Sequence, residues 1–150
     1  MKFISLIFLS FFITQKMNAQ MNYERNDLEN LIDSSISIVF QSFRNSTYKV
    51  NDSIVVLRDN NSNWSVANVN IKNFYNLDIY DPINRKILEH GIFAWKVYPE
   101  LKGKSLEISI GFYVVHYKDN DFYFGRGGGA KVVFEYSCKK RRWIFKSMKR

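Results

Sequence analysis

Two stretches near the C-terminus alternate apolar and polar residues at period two: Ser105–Lys118 (SLEISIGFYVVHYK), and Ala130–Cys138 with its continuation Arg142–Met148 (AKVVFEYSC, RWIFKSM). Both are rich in β-branched and aromatic residues and contain no proline, the pattern of long strands with one buried face. Leu106, Ile108, Ile110, Phe112 and Val114 fall on one face of the first run, and Val132, Phe134 and Tyr136 continue an apolar face on the second. Neighbouring antiparallel strands are the frame that the rest of the chain must fit. With the glycine-rich run Gly125–Gly129 as a mobile connection, the expected register sets Lys118 opposite Ala130.

An apolar stripe in the N-terminal half can cover such a sheet. Leu28, Leu31, Ile32, Ser35, Ile36, Val39, Phe40 and Phe43 recur at three- and four-residue spacing, which predicts a helix over 26–44. Asn26 and Glu29 form a capping-box-like start, and Asp27, Glu29 and Asp33 sit at the end where the helix dipole favours acids. Between helix and long strands, Ser53–Arg58 and Trp64–Val69 flank the turn-forming residues 59–63 and predict a hairpin. Ile71–Tyr80 fits either a helix face or a strand. Asp81-Pro82 followed by Gly91 predicts a short helix over Ile83–His90 that carries Ile83, Ile87 and Leu88. Phe93, Trp95 and Val97 alternate in a further strand, and Pro99–Lys104 is expected to turn into the long strand.

The order of elements predicts an α+β fold: an N-terminal amphipathic helix packed on a curved antiparallel sheet, with a short second helix, as a single domain over 20–150. Over most of residues 26–148 this order resembles the cystatin-like and nuclear-transport-factor-two-like cone folds. No motif accompanies the resemblance, which implies a fold that serves enzymes, pockets and assembly domains alike and selects no function.

Residues 1–19 are expected to be a signal peptide. Met1-Lys2 gives a positive start, Phe3–Ile13 is apolar but too short to span a bilayer, and Thr14–Ala19 turns polar and ends in a small residue. Met17, three before the cut, is larger than usual at that position. The reading therefore places the protein outside the cytoplasm, periplasmic or secreted, with no transmembrane segment in the mature chain. The net charge of +8 is unevenly held. Lys2 and Lys16 are the only charges in the first twenty residues, and the last twelve carry seven cations and no acid: Lys139, Lys140, Arg141, Arg142, Lys146, Lys149 and Arg150. The stretch between them, 21–138, thus has a net charge of −1, so the chain is nearly neutral with a basic end. One cysteine, Cys138, excludes a disulfide within the monomer, and its place at a strand end is that of a small buried hydrophobe.

No chemical motif identifies an activity. Two lone histidines and one cysteine match no zinc or calcium spacing, and no cofactor is indicated. The glycine run leads into a strand with no Lys-Ser/Thr after it, which is not a phosphate loop. In the expected register Cys138 lies about 20 Å from His116, too far for a nucleophile pair. Alternation puts Glu107 and Glu135 opposite the apolar faces, where burial cannot raise a general base's pKa. Two contact candidates emerge. Phe122, Tyr123 and Phe124 cannot all point inward, and with Arg126 they form a candidate contact loop. Lys139, Lys140, Arg141 and Arg142, in a hairpin turn beside Trp143 and Phe145, are the candidate contact for an anionic partner. The reading is a non-enzymatic binding domain whose partner is a protein or envelope component rather than nucleic acid, the oligomeric state being undefined. Two alternatives stand beside it. One is a small-molecule pocket protein or enzyme of a cone-like fold, with His116 in the pocket between helix and sheet. The other is an immunity-type inhibitor of an exported toxin.

Overall fold

The computed structural model describes residues 27–44, 54–58 and 74–150. Residues 27–44 form helix α1. Strands β1 (Ile54–Leu57) and β2 (Phe74–Leu77) follow, then a 3-10 turn (Pro82–Asn84) leading into α2 (Arg85–Glu89). Strands β3 (Ile92–Lys102), β4 (Ser105–Lys118), β5 (Asp121–Ser137) and β6 (Arg142–Lys149) complete the chain. One six-stranded sheet takes the order β2-β1-β3-β4-β5-β6. The fold is α+β, with an N-terminal helix on the sheet and a short second helix.

α1 buries the stripe that its periodicity marks out. Ile32, Ile36 and Val39 share one core with Ile54, Val56, Trp95, Val97, Ile108, Ile110, Phe112, Val132 and Phe134, while Leu28, Leu31, Phe40 and Phe43 pack at its margin. Ser35 is fully buried on this stripe because its hydroxyl donates to the Leu31 carbonyl at 2.7 Å, which satisfies it within the helix. Asn26, the expected cap, lies outside the described residues. A second, smaller core sits on the opposite face of the sheet, where Leu88 of α2 packs with Leu57, Ile79, Ala94 and Val115. The Asp81 carboxylate accepts from the Ile83 N–H at 3.0 Å and Gly91 has φ +76, so the second helix starts and stops as its sequence dictates. Of its apolar residues only Leu88 is buried; Ile83 and Ile87 are exposed.

Four expectations need correction. The sheet is mixed: β1 pairs in parallel with β2 and with β3, and only β3 to β6 are antiparallel. β1 carries β2 on one edge and meets β3 at Trp95 on the other; Trp64–Val69, the expected return strand of a hairpin, lies outside the described residues. The run Ile54-Val55-Val56-Leu57 is continuously apolar because it feeds both cores, Ile54 and Val56 one, Leu57 the other. The chain also does not turn at Pro99. β3 continues to Lys102, and the turn is only Gly103-Lys104, with φ +60 at Gly103. β3 meets β1 only at Trp95, so Pro99 lies where the outer edge of the strand is unpaired among the described residues and a missing N–H costs nothing.

The glycine-rich segment, expected as a mobile loop, is strand. The hairpin turn is Asp119-Asn120, both left-handed (φ 53 and 67), the two-residue turn that matches strand twist. Lys118 therefore pairs with Asp121, and Ala130 with Ile110. Between Gly111 and Tyr113 the partner strand advances from Gly129 to Arg126, one residue more than β4 does. That extra residue is a bulge, with Gly128 at φ +107, and it exchanges the two faces of β5. Before it, Phe122 packs into the α2 core; after it, Ala130, Val132 and Phe134 pack under α1. The fourth correction follows from the same alternation. Val114 shares its face with Phe112 but lies beyond the α1 core, half-exposed, while its neighbour Val115 is fully buried in the other core.

Candidate functional site

At one end of the sheet the two hairpin turns of the antiparallel strands lie together. The Tyr136 N–H donates to the Lys104 carbonyl at 3.0 Å, which ties the β3–β4 turn to the end of β5. Ser137 pairs with Arg142, closing a four-residue turn over 138–141 in which Arg141 has φ +50 and the Lys140 N–H donates to the Ser137 hydroxyl at 3.3 Å. Lys104, Lys139, Lys140, Arg141 and Arg142 are all exposed. Among the described residues none of these five has a carboxylate in ion-pair reach.

The acids beside them are committed elsewhere. On the face away from α1, Glu107 accepts from Lys131 at 2.8 Å and Lys102 at 2.9 Å; Lys102 also meets Glu100 at 2.9 Å, and Lys146 meets Glu135 at 2.6 Å. The hydrogen bond from Lys131, then that from Lys102, hold the Glu107 carboxyl down at about 2. Glu135 is lowered as well, first by its hydrogen bond from Lys146 and with a smaller contribution from the charge of Lys104. A carboxylate held as low as that of Glu107 is no general base near neutrality.

Behind the turns, on the α1 face, runs a row of cross-strand neighbours: Leu101, Leu106, Phe134 and Phe145. Its middle is buried and its ends are not. Leu101 is 66% and Phe145 48% exposed. One step nearer the turns Tyr136 pairs with Trp143, edge to face at 5.4 Å and 70°. Trp143 and Phe145 stand out in the sequence beside the cations, whereas Leu101 and Lys104 fall in the turn-like run Pro99–Lys104 and only the register sets them beside β5.

The other candidate residues lie elsewhere. Phe122 is half-buried between the rings of Tyr117, at 4.9 Å, and Tyr80, at 5.5 Å. Tyr123 and Phe124 are about half exposed, and Arg126 is exposed. These residues sit at the turn end of β5 opposite the basic one, so the two candidate surfaces are not brought together. His116 Nε2 is 2.6 Å from the Glu89 carbonyl, at the end of α2. Cys138 is exposed in the basic turn rather than buried, since the strand ends one residue before it. His116 pairs with Tyr123, so some fifteen residues of strand, roughly 50 Å, separate it from Cys138. Among the described residues no group of His, Cys, Asp and Glu could hold a metal ion, and no helix is long and apolar enough to cross a membrane. No family model matches the chain, and comparison with curated proteins and with solved structures returns no match.

Proposed function

We propose that this chain is an exported, non-enzymatic binding domain, and that its contact surface is the basic end of the sheet, which takes an anionic partner. One observation carries the reading: among the described residues the five cations on two adjoining turns make no ion pair, while the neighbouring acids Glu100, Glu107 and Glu135 are each paired to other lysines. Like charges held together raise the local potential and are relieved by an anion from outside. Export is supported by the charge, apolar and small-residue pattern of Met1–Ala19. The test is retention on a sulfated polysaccharide matrix against a salt gradient, for the wild type and for the triple variant Lys139→Gln, Lys140→Gln, Arg142→Gln. Arg141 is kept because its left-handed backbone belongs to the turn. The variant should elute at clearly lower salt, and co-elution of the two would overturn the reading.

A further inference from the structure

We infer that the anionic partner is the surface of a lipid bilayer, which the basic end meets with its turns in the headgroups and its apolar rim at the acyl boundary. The inference rests on the anionic reading above and names the partner. A patch of cations by itself fits any polyanion, so the decision comes from what stands behind them. Leu101 and Phe145 close the two ends of one cross-strand row, and both project apolar surface at the same end as Lys104 and Lys139–Arg142. Three strand spacings separate them, roughly 14 Å, a width that suits shallow insertion on both sides of the turns. An exposed leucine beside cations has no use in holding a phosphate backbone, whereas at a bilayer it enters the acyl boundary while the cations meet the headgroups.

The aromatics point the same way. A single-stranded nucleic acid needs free ring faces on which bases stack. Here Tyr136 and Trp143 are engaged edge to face with each other, and Phe145 meets Phe134 in the same manner at 6.2 Å and 74°. Tyr136 and Phe145 stay partly exposed, and Trp and Tyr beside cations are the composition of a membrane–water interface. The turns are also braced. The Tyr136–Lys104 and Lys140–Ser137 hydrogen bonds fix them, so little ordering is needed on contact.

The experiment is sedimentation of the mature chain, Gln20–Arg150, with vesicles of phosphatidylcholine alone and of phosphatidylcholine with about one-third phosphatidylglycerol, beside retention on the sulfated matrix and binding of single-stranded DNA. Two variants are compared with the wild type: the triple cation variant and Leu101→Gln, whose exposure keeps the fold intact. Binding is expected to the anionic vesicles and not to the neutral ones. Each cation is worth roughly fivefold at such a surface, so the triple variant should bind about a hundredfold more weakly. Leu101→Gln should weaken vesicle binding about fivefold and leave retention on the matrix unchanged, which separates insertion from charge. Retention on the matrix without vesicle binding would overturn the lipid inference and leave the anionic reading standing. DNA binding tighter than vesicle binding, or vesicle binding indifferent to Leu101, would overturn it likewise. Loss of all three would overturn both.

Discussion

Alanine at two glycines of the same strand, Gly129 and Gly125, should have effects of opposite sign. A Cβ on Gly129 would lie 2.7 Å from the Ile110 carbonyl oxygen and 3.4 Å from the Cα of Gly111. Carbon and carbonyl oxygen meet at about 3.3 Å or more, so β4 and β5 would have to part by roughly half an ångström. The obstacle is backbone inside a paired ladder beside the bulge, and no rotamer change relieves it. Overpacking of this kind costs about 1–3 kcal/mol, and the absence of a movable side chain puts Gly129→Ala at the upper end, about 2–3 kcal/mol. For a domain of this size that lowers the unfolding midpoint by about 4–10 °C. Gly125 differs. A Cβ there meets the Cβ and carbonyl oxygen of Val114 at 3.8 Å, an ordinary contact. Alanine in a strand then saves about 0.5–1 kcal/mol of backbone entropy, and the midpoint should rise by about 1–3 °C. Thermal unfolding followed by circular dichroism, with urea midpoints beside it, measures both. If Gly129→Ala were as stable as the wild type, or Gly125→Ala as damaged as Gly129→Ala, the strand reading of the glycine run would fall.

Further outcomes concern the second core, the ladder and the N-terminus. Leu88→Ala removes the one fully buried side chain of α2 and should cost about 2–5 kcal/mol, with faster amide exchange over 82–91, whereas exposed Ile87→Ser should stay within about 0.5 kcal/mol. Glu107 has its folded pKa lowered from 4.5 to about 2, so its contribution is complete above pH 4.5 and lost as pH falls toward 2. Glu107→Gln should therefore flatten the acid limb of a denaturation series, modestly, because the pairs face solvent; an unchanged limb would remove the ladder from the account. Intact mass of the protein isolated from its host should correspond to a chain beginning at Gln20, and a mass that retains Met1–Ala19 would count against export.

The parts of the fold carried by local pattern were legible. The α1 stripe, the Asp81-Pro82 start, the Gly91 stop and the alternation of β4 each have a cause within a few residues. What escaped depends on pairing at a distance. Asp119-Asn120 is a two-residue hairpin signal, but the glycines beyond it drew the connection nine residues downstream, and every partner of β4 moved with it. The mixed sheet was readable in principle from the unbroken apolar run of β1, since a strand with both faces buried has no polar alternation to show. The bulge at Gly128 had no such signal. It exists because β5 serves two cores on opposite faces, a demand set by the helices and not by the strand itself. The candidate site divides along the same line. The cations were visible as a cluster; Leu101 and Lys104 joined them only through the register.

The bulge also determines what the basic end can be. Because β5 exchanges faces there, α2 covers the opposite face only toward the Asp119-Asn120 turn, where Val115, Tyr113 and Phe122 pack against it. Toward the basic turns that face carries the Lys102–Glu107–Lys131 and Lys146–Glu135 pairs instead. A strand without the bulge would bring Val132 and Phe134 out onto this face and take them from under α1, so Lys131 could not reach Glu107 and the apolar row would stop at Leu106. The ladder in turn consumes the nearby acids on one face while the row keeps Leu101 and Phe145 on the other. The Lys131–Glu107 pair and the place of Phe134 in the apolar row thus depend on one inserted residue in β5, and the place of Phe145 beside it on a second register shift, between Val133 and Phe134. The proposed bilayer contact would therefore be made end-on, with the sheet standing away from the anionic layer.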